Sequence, residues 1–116
     1  AANQTIPEMM PYSVSCAALN QMTRSFAVAL AKEGIRVNAI SLGSIMSSSL
    51  RMNLHSNPEL QDSIIDATPL GYIAEPEEVA DLALFLSSES ARFLTGQVIT
   101  IDGGRSILNK LERAAY

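Results

Sequence analysis

No tryptophan occurs in this sequence, and a single cysteine does. One cysteine excludes an internal disulfide, and with it the disulfide frameworks of small secreted domains; a reducing, cytoplasmic setting is the expectation. Basic residues are few and scattered, 8 Lys and Arg against 12 Asp and Glu, with a formal net charge of −4. That balance offers no footprint for nucleic acid or for an anionic lipid surface, so neither is expected as a partner. No apolar run reaches the ~18 residues that a membrane-spanning helix needs. The amino terminus, AANQTIPEMMP, lacks both the basic start and the apolar middle of a secretory signal. There is no initiator methionine, and no repeat, low-complexity tract or linker stands out. No metal site is expected, and His55, the only histidine, reads as a solvated turn residue.

What is present is ordinary for a globular chain: 47% hydrophobic and 17% charged residues over 116 positions. That length suits one small domain and buries about 65% of the surface exposed when unfolded, so the core is expected to be thin.

The apolar pattern predicts a first helix over about Tyr12–Glu33. Leu19, Met22, Phe26 and Leu30 recur at helical spacing, Thr23 reads as a polar break, and Gly34 stands where a C-terminal cap belongs. IRVNAIS, Ile35 to Ser41, reads as a strand. A Gly/Ser-rich exit follows and runs into a short helical stretch holding Leu50 and Leu54. SNPELQDSIIDA reads as a second short helix, with Asn57 as candidate cap and Pro58 at its first position. TPLGYIAEP is a loop. Pro76–Ser87 reads as a third helix, with Glu77 and Glu78 at the positive end of its dipole and an apolar face of Val79, Leu82, Ala83 and Leu86. GQVITID, Gly96 to Asp102, is a second strand, ended by Gly103-Gly104, and the tail from Arg105 to Tyr116 has weak helical character.

Two strands joined by a helical crossover imply a parallel pair in an α/β sheet. An isolated pair is marginal and leaves open edges, so the pattern reads as the end of a larger sheet.

Taken in order, these segments resemble the carboxyl-terminal half of a short-chain dehydrogenase/reductase. PYSVSCAALNQMTRSFAVALAKEGIRVNAI is similar to the family's active-site helix and the strand after it. LGSIMS resembles its Pro-Gly turn, and TPLGYIAEPEEVADLALFLSSESARFLTGQVITIDGG its closing helix and last strand. The resemblance covers about Pro11 to Gly104. It implies the end of a doubly wound, Rossmann-type parallel sheet, with residues 1–116 as a single partial domain whose amino-terminal cofactor-binding half is absent. It also implies NAD or NADP as cofactor, and hydride transfer to or from a small alcohol or carbonyl substrate. By the same resemblance Tyr12 takes the catalytic acid/base position, Gly43, Ile45 and Ser47 the cofactor side, and Met46 to Tyr72 the substrate loop. Met46, Leu50, Met52 and Leu54 are then either pocket lining or lid residues packed on the core. Homo-oligomer formation through the two long helices is implied as well.

The family's motif places a lysine four residues after the tyrosine, and Cys16 stands there. A tyrosine ionises near pH 10 and needs a nearby cation to act as a base at neutral pH. A thiol supplies none, and a thiolate would oppose ionisation. Leu42 replaces the proline of the Pro-Gly turn and loses its fixed φ. The serine of the family's triad falls before Ala1. The expectation is that this chain alone is inactive. The alternative is a degenerate non-catalytic fragment, or an oligomerisation module that pairs with a complete relative. For Ser47 the plainer role is a helix cap in a serine-rich turn.

Overall fold

The computed structural model describes residues 7–108. These fall into two compact units, one of residues 7–40 and Phe85–Ile99, the other of Ser41–Leu84 and residues 100–108.

Helix α1 of the first unit spans Met10–Leu30 and continues through a 3-10 turn at Ala31–Glu33. Its start precedes the expected Tyr12 because Pro11 sits in the first turn, where its missing N–H is not needed. Gly34 ends it as expected, at φ 73°, with its N–H donating to the Ala31 carbonyl at 3.0 Å. The buried face is not the expected one. Ser13, Cys16, Asn20, Thr23, Ala27 and Leu30 are the half-buried or buried positions, while Met22 and Phe26 stay 47% and 48% exposed. The reason is close approach. A Cβ on Gly96 would lie 3.3 Å from Ala27 Cβ, a distance that only small side chains permit. Thr23, read as a polar break, is buried because its hydroxyl is satisfied within the helix, donating to the Leu19 carbonyl at 2.9 Å.

Strands β1, Ala39–Leu42, and β2, Val98–Ile101, form a two-stranded sheet. Ala39 N–H donates to Gln97 O and Gly43 N–H to Ile101 O, so both partners advance together and the pair is parallel, as expected. Both strands are shorter than the sequence suggested. Before Ala39 the chain is latched by side chains rather than by a ladder. Arg36 donates to the Leu94 and Ser88 carbonyls, Val37 N–H to Thr95 Oγ1, and the Asn38 amide bridges Leu94 O and Gln97 N.

The second unit holds α2, Ser48–Ser56, α3, Pro58–Asp66, and most of α4, Pro76–Ser87, whose last turn belongs to the first unit. Leu54, Ile64 and Ile73 form its core, with Met46, Leu50, Leu60 and Ile65 packed against them. On α3 the spacing of Leu60, Ile64 and Ile65 puts all three on one face. Pro58 occupies the expected first-turn place, but Asn57 makes no side-chain cap. Only its carbonyl serves the helix start, accepting from Leu60 N–H at 3.2 Å. In α4, Val79 and Leu82 are half-buried and Leu86 is buried, while Ala83 is exposed. Among the described residues no large side chain is fully buried, which agrees with the expected thin core. Of the tail, Arg105–Ile107 forms a 3-10 turn; residues 109–116 lie outside the described residues.

Candidate active site

Tyr12 and Cys16 stand one turn apart on α1, a spacing that brings side chains together. Tyr12 is 55% exposed and Cys16 half-buried. The phenol ionises above its ordinary value of 10.0. The first cause is its hydrogen bond to Cys16, then the charge of that sulfur, then burial. A raised value works against a phenolate base at neutral pH and suits a phenol that keeps its proton. The direction of this shift is the one expected of a sulfur, rather than a cation, at this position.

Gly43, Ile45 and Ser47 belong to the second unit, and Tyr12 to the first. A Cβ on Gly43 would fall 2.7 Å from both Cα and Cβ of Asp102. The missing side chain is taken up by the neighbouring chain, so what this glycine admits in the structure is Asp102. Ile45 forms a lone parallel bridge with Ala74, and its carbonyl accepts from Ser47 N–H at 2.7 Å. Ser47 is the N-cap of α2, its Oγ accepting from Leu50 N–H at 3.2 Å. A hydroxyl that accepts one bond keeps its proton to donate, so Ser47 fits a polar group of a nicotinamide cofactor while capping. The set therefore fits such a cofactor in part: Ser47 keeps a donor, while Gly43 offers no empty cradle. Ser47→Ala removes the cap and is expected to lower stability by about 1 kcal/mol in urea unfolding; Ser47→Asn restores most of it.

Residues of the loop read as TPLGYIAEP help to line a cleft of ≈ 160 Å³ in the second unit, together with Ser44, Ile45, Glu78 and Asp102. Tyr72 donates to Glu78 Oε1 at 2.7 Å, and Glu78 Oε2 accepts from Glu75 N–H at 2.9 Å. These bonds hold the Glu78 carboxyl below its ordinary value, the Tyr72 bond contributing most, and hold the Tyr72 phenol above its own. Asp102 accepts from Ser106 N–H at 2.8 Å and Gly104 N–H at 2.9 Å. Hydrogen bonding from Ser106 is the first reason that its carboxyl is also depressed. The sequence reading of Glu78 as a dipole charge did not include its bonds to Tyr72 and to the Glu75 N–H. The signal was its spacing, three residues after Glu75, which suits a carboxylate reaching back to the helix start.

A pH dependence follows. Because the Glu78 carboxyl is depressed, the stability it contributes is fully present above the ordinary value of 4.5 and is lost as pH falls through the folded value. Tyr72→Phe removes the largest cause. The stability gap between wild type and variant, from urea unfolding at fixed pH, is expected to shrink as pH drops below 4.5. A gap independent of pH would count against the assignment.

The four apolar residues of the substrate-loop region divide. Leu54 is buried, and Met46 and Leu50 pack against it in the core of their unit, while Met52 is 75% exposed. They therefore do not form one pocket. His55 is exposed, as expected, but it stands in the last turn of helix α2 rather than in a turn, and with Met46 and Leu54 it lines an open hollow.

Comparisons with known proteins bear on both the fold and the family. A family profile described as enoyl-(acyl carrier protein) reductase matches residues 1–106. Galactitol 2-dehydrogenase (L-tagatose-forming) of Cereibacter sphaeroides is 38% identical over 96 residues, 83% of this chain and 37% of that protein. A short chain dehydrogenase family protein from Francisella tularensis subsp. tularensis SCHU S4 superposes with a TM-score of 0.82 at 35% identity, covering 92% of this chain and 48% of the other. 4-Hydroxyisoleucine dehydrogenase, solved with NADH, does so with a TM-score of 0.78 at 34% identity, over 84% and 40%. The chain spans less than half the length of each of these three proteins. These likenesses give one conclusion: the chain belongs to the short-chain dehydrogenase/reductase family, and it spans less than half the length of the members compared.

Proposed function

We propose that this chain is the carboxyl-terminal part of a cytoplasmic, NAD(P)-dependent oxidoreductase acting on a small alcohol or carbonyl compound, and that by itself it is inactive. The observation that carries the reading is the Tyr12–Cys16 pair on α1. A tyrosine stands at the acid/base position, yet the group one turn on raises its pKa where a cation would lower it. When bound, the nicotinamide supplies the hydride acceptor or donor. The residues of this chain have narrower tasks. Tyr12 holds the reacting proton at its phenolic oxygen, and Ser47 offers a hydroxyl proton beside the Ile45 backbone. Gly43 keeps the strand end close to Asp102 and so positions the turn that carries both.

The test is an assay of the purified 116-residue chain with NAD(H) and NADP(H) over a panel of alcohols and ketones. No turnover is expected. Turnover that Tyr12→Phe abolishes would overturn the claim of inactivity.

A second reading rests on a different observation, the exposed apolar side chains Met10, Val14, Met22 and Phe26 on α1 and Leu84 and Phe85 on α4. In this reading the chain is an oligomerisation module that pairs through these helices with itself or with a complete relative. Native mass spectrometry of the chain mixed with a full-length relative is expected to give a defined stoichiometry, and Phe26→Glu to weaken it. Polydisperse aggregates insensitive to Phe26→Glu would remove this reading.

A further inference from the structure

Outside the Tyr12 site, the second unit has an open hollow of ≈ 450 Å³ between α2 and α3, lined by Met46, Arg51, Leu54, His55, Pro58 and Gln61. Its lining is mixed: Met46, Leu54 and Pro58 supply a small apolar part beside the polar side chains. Its rim is cationic and polar. Arg51 and His55 are four residues apart on α2 and so share a face. The Gln61 side chain adds an amide, which carries two N–H donors.

The charge at this rim stands out locally. Among the described residues of the second unit, Arg51 and Arg105 are the two guanidinium groups, against eight carboxylates. Arg105 is engaged with Ser44 Oγ at 2.9 Å. Arg51 is the one at the hollow. One of its nitrogens donates to Glu75 Oε2 at 3.2 Å, but the two side chains are 64% and 51% exposed, so that pair is weak and exchangeable. A guanidinium has five N–H donors in a planar fork, so one surface ion pair leaves capacity for a second anion.

We infer that this hollow is a recognition site for a carboxylate carried on an apolar body, with Arg51 as its charge partner. The acyl or alkyl part lies on Met46, Leu54 and Pro58, and the carboxylate takes the Arg51 fork, with His55 and Gln61 as further donors. A monoanion fits better than a phosphate, because one guanidinium stands here within a strongly acidic unit.

The test measures binding and is blind to turnover. The ¹⁵N-labelled 116-residue chain is titrated with octanoate, octan-1-ol and octyl phosphate, following the amide resonances of residues 51–61. Octanoate is expected to bind about tenfold more tightly than octanol, as a charge-assisted pair implies. Arg51→Ala is expected to bring the two within about twofold, and Glu75→Gln, which releases Arg51, to tighten octanoate. Arg51 is exposed, so its loss leaves the fold intact, and an unchanged spectrum outside α2 and α3 checks this. Equal binding of octanoate and octanol to the wild type overturns the site. A preference that survives Arg51→Ala overturns the role of Arg51, and tighter binding of octyl phosphate overturns the choice of a carboxylate.

Discussion

Cys16→Lys lowers the pKa of Tyr12. The phenol now ionises above its ordinary value, chiefly because it donates a hydrogen bond to Cys16. Lysine removes that acceptor and puts a cation one turn away, which favours the phenolate. The reading is direct: tyrosinate absorbance against pH in a background of Tyr72→Phe and Tyr116→Phe, which leaves Tyr12 as the only tyrosine. Cys16→Ala is the control. It removes the sulfur without adding charge and is expected to return Tyr12 towards its ordinary value, with lysine taking it below. Tyr12 is 55% exposed, so added salt should weaken the lysine effect, as screening requires. In a polypeptide completed with a relative's cofactor-binding half, the same substitution is expected to raise turnover by about 10²–10⁴-fold, the range of a restored acid/base group. If Cys16→Lys and Cys16→Ala titrate alike, the lysine argument fails.

Gly43→Ala is the second large effect, and it acts on stability. The new Cβ would sit 2.7 Å from both Cα and Cβ of Asp102, and Asp102 is itself fixed by bonds from Gly104 N–H and Ser106 N–H. The crowded atoms are backbone and Cβ, which no rotamer change can move. Relief requires the chain ends to part, which strains the 2.9 Å bond from Gly43 N–H to Ile101 O. Overpacking of this kind costs about 1–3 kcal/mol, a large share of the 5–15 kcal/mol typical of a folded domain. Gly34→Ala separates crowding from backbone strain. Gly34 has φ 73° but nothing within 4 Å of its would-be Cβ. It is therefore expected to cost only the left-handed strain of about 1–2 kcal/mol, and Gly34→Asn less than that. Urea midpoints with unchanged slopes give both values. A Gly43→Ala variant as stable as the wild type would show that the strand end yields more easily than its contacts imply.

Much of this architecture was legible along the chain. Pro76–Ser87 is bounded as read because proline at the start and acids in the first turn are local signals. Gly34 ends α1 because only the chain's own φ is at issue. The order of helix, strand, helical excursion, helix and strand was enough to imply a parallel pair, because a parallel connection needs a crossover. The closeness of residues 12 and 16 was also legible, since a one-turn spacing on a helix is a local geometry.

Other features depended on distances between segments remote in sequence, which only the tertiary structure decides. The buried face of α1 was misread because hydrophobicity names the residues that gain from burial, whereas the 3.3 Å approach at Gly96 admits only small ones. The strands begin late because Arg36, Val37 and Asn38 find partners at residues 88–97, and side-chain latches leave no periodic trace. Gly43 was placed on the cofactor side by resemblance; that its missing Cβ faces Asp102, 59 positions away in sequence, only the tertiary structure shows. Types of residue and their spacing determined which elements form and what chemistry they can carry. Which face is buried, and which atoms fill the gaps, was decided by long-range packing, because steric fit depends on neighbours that the local sequence does not name.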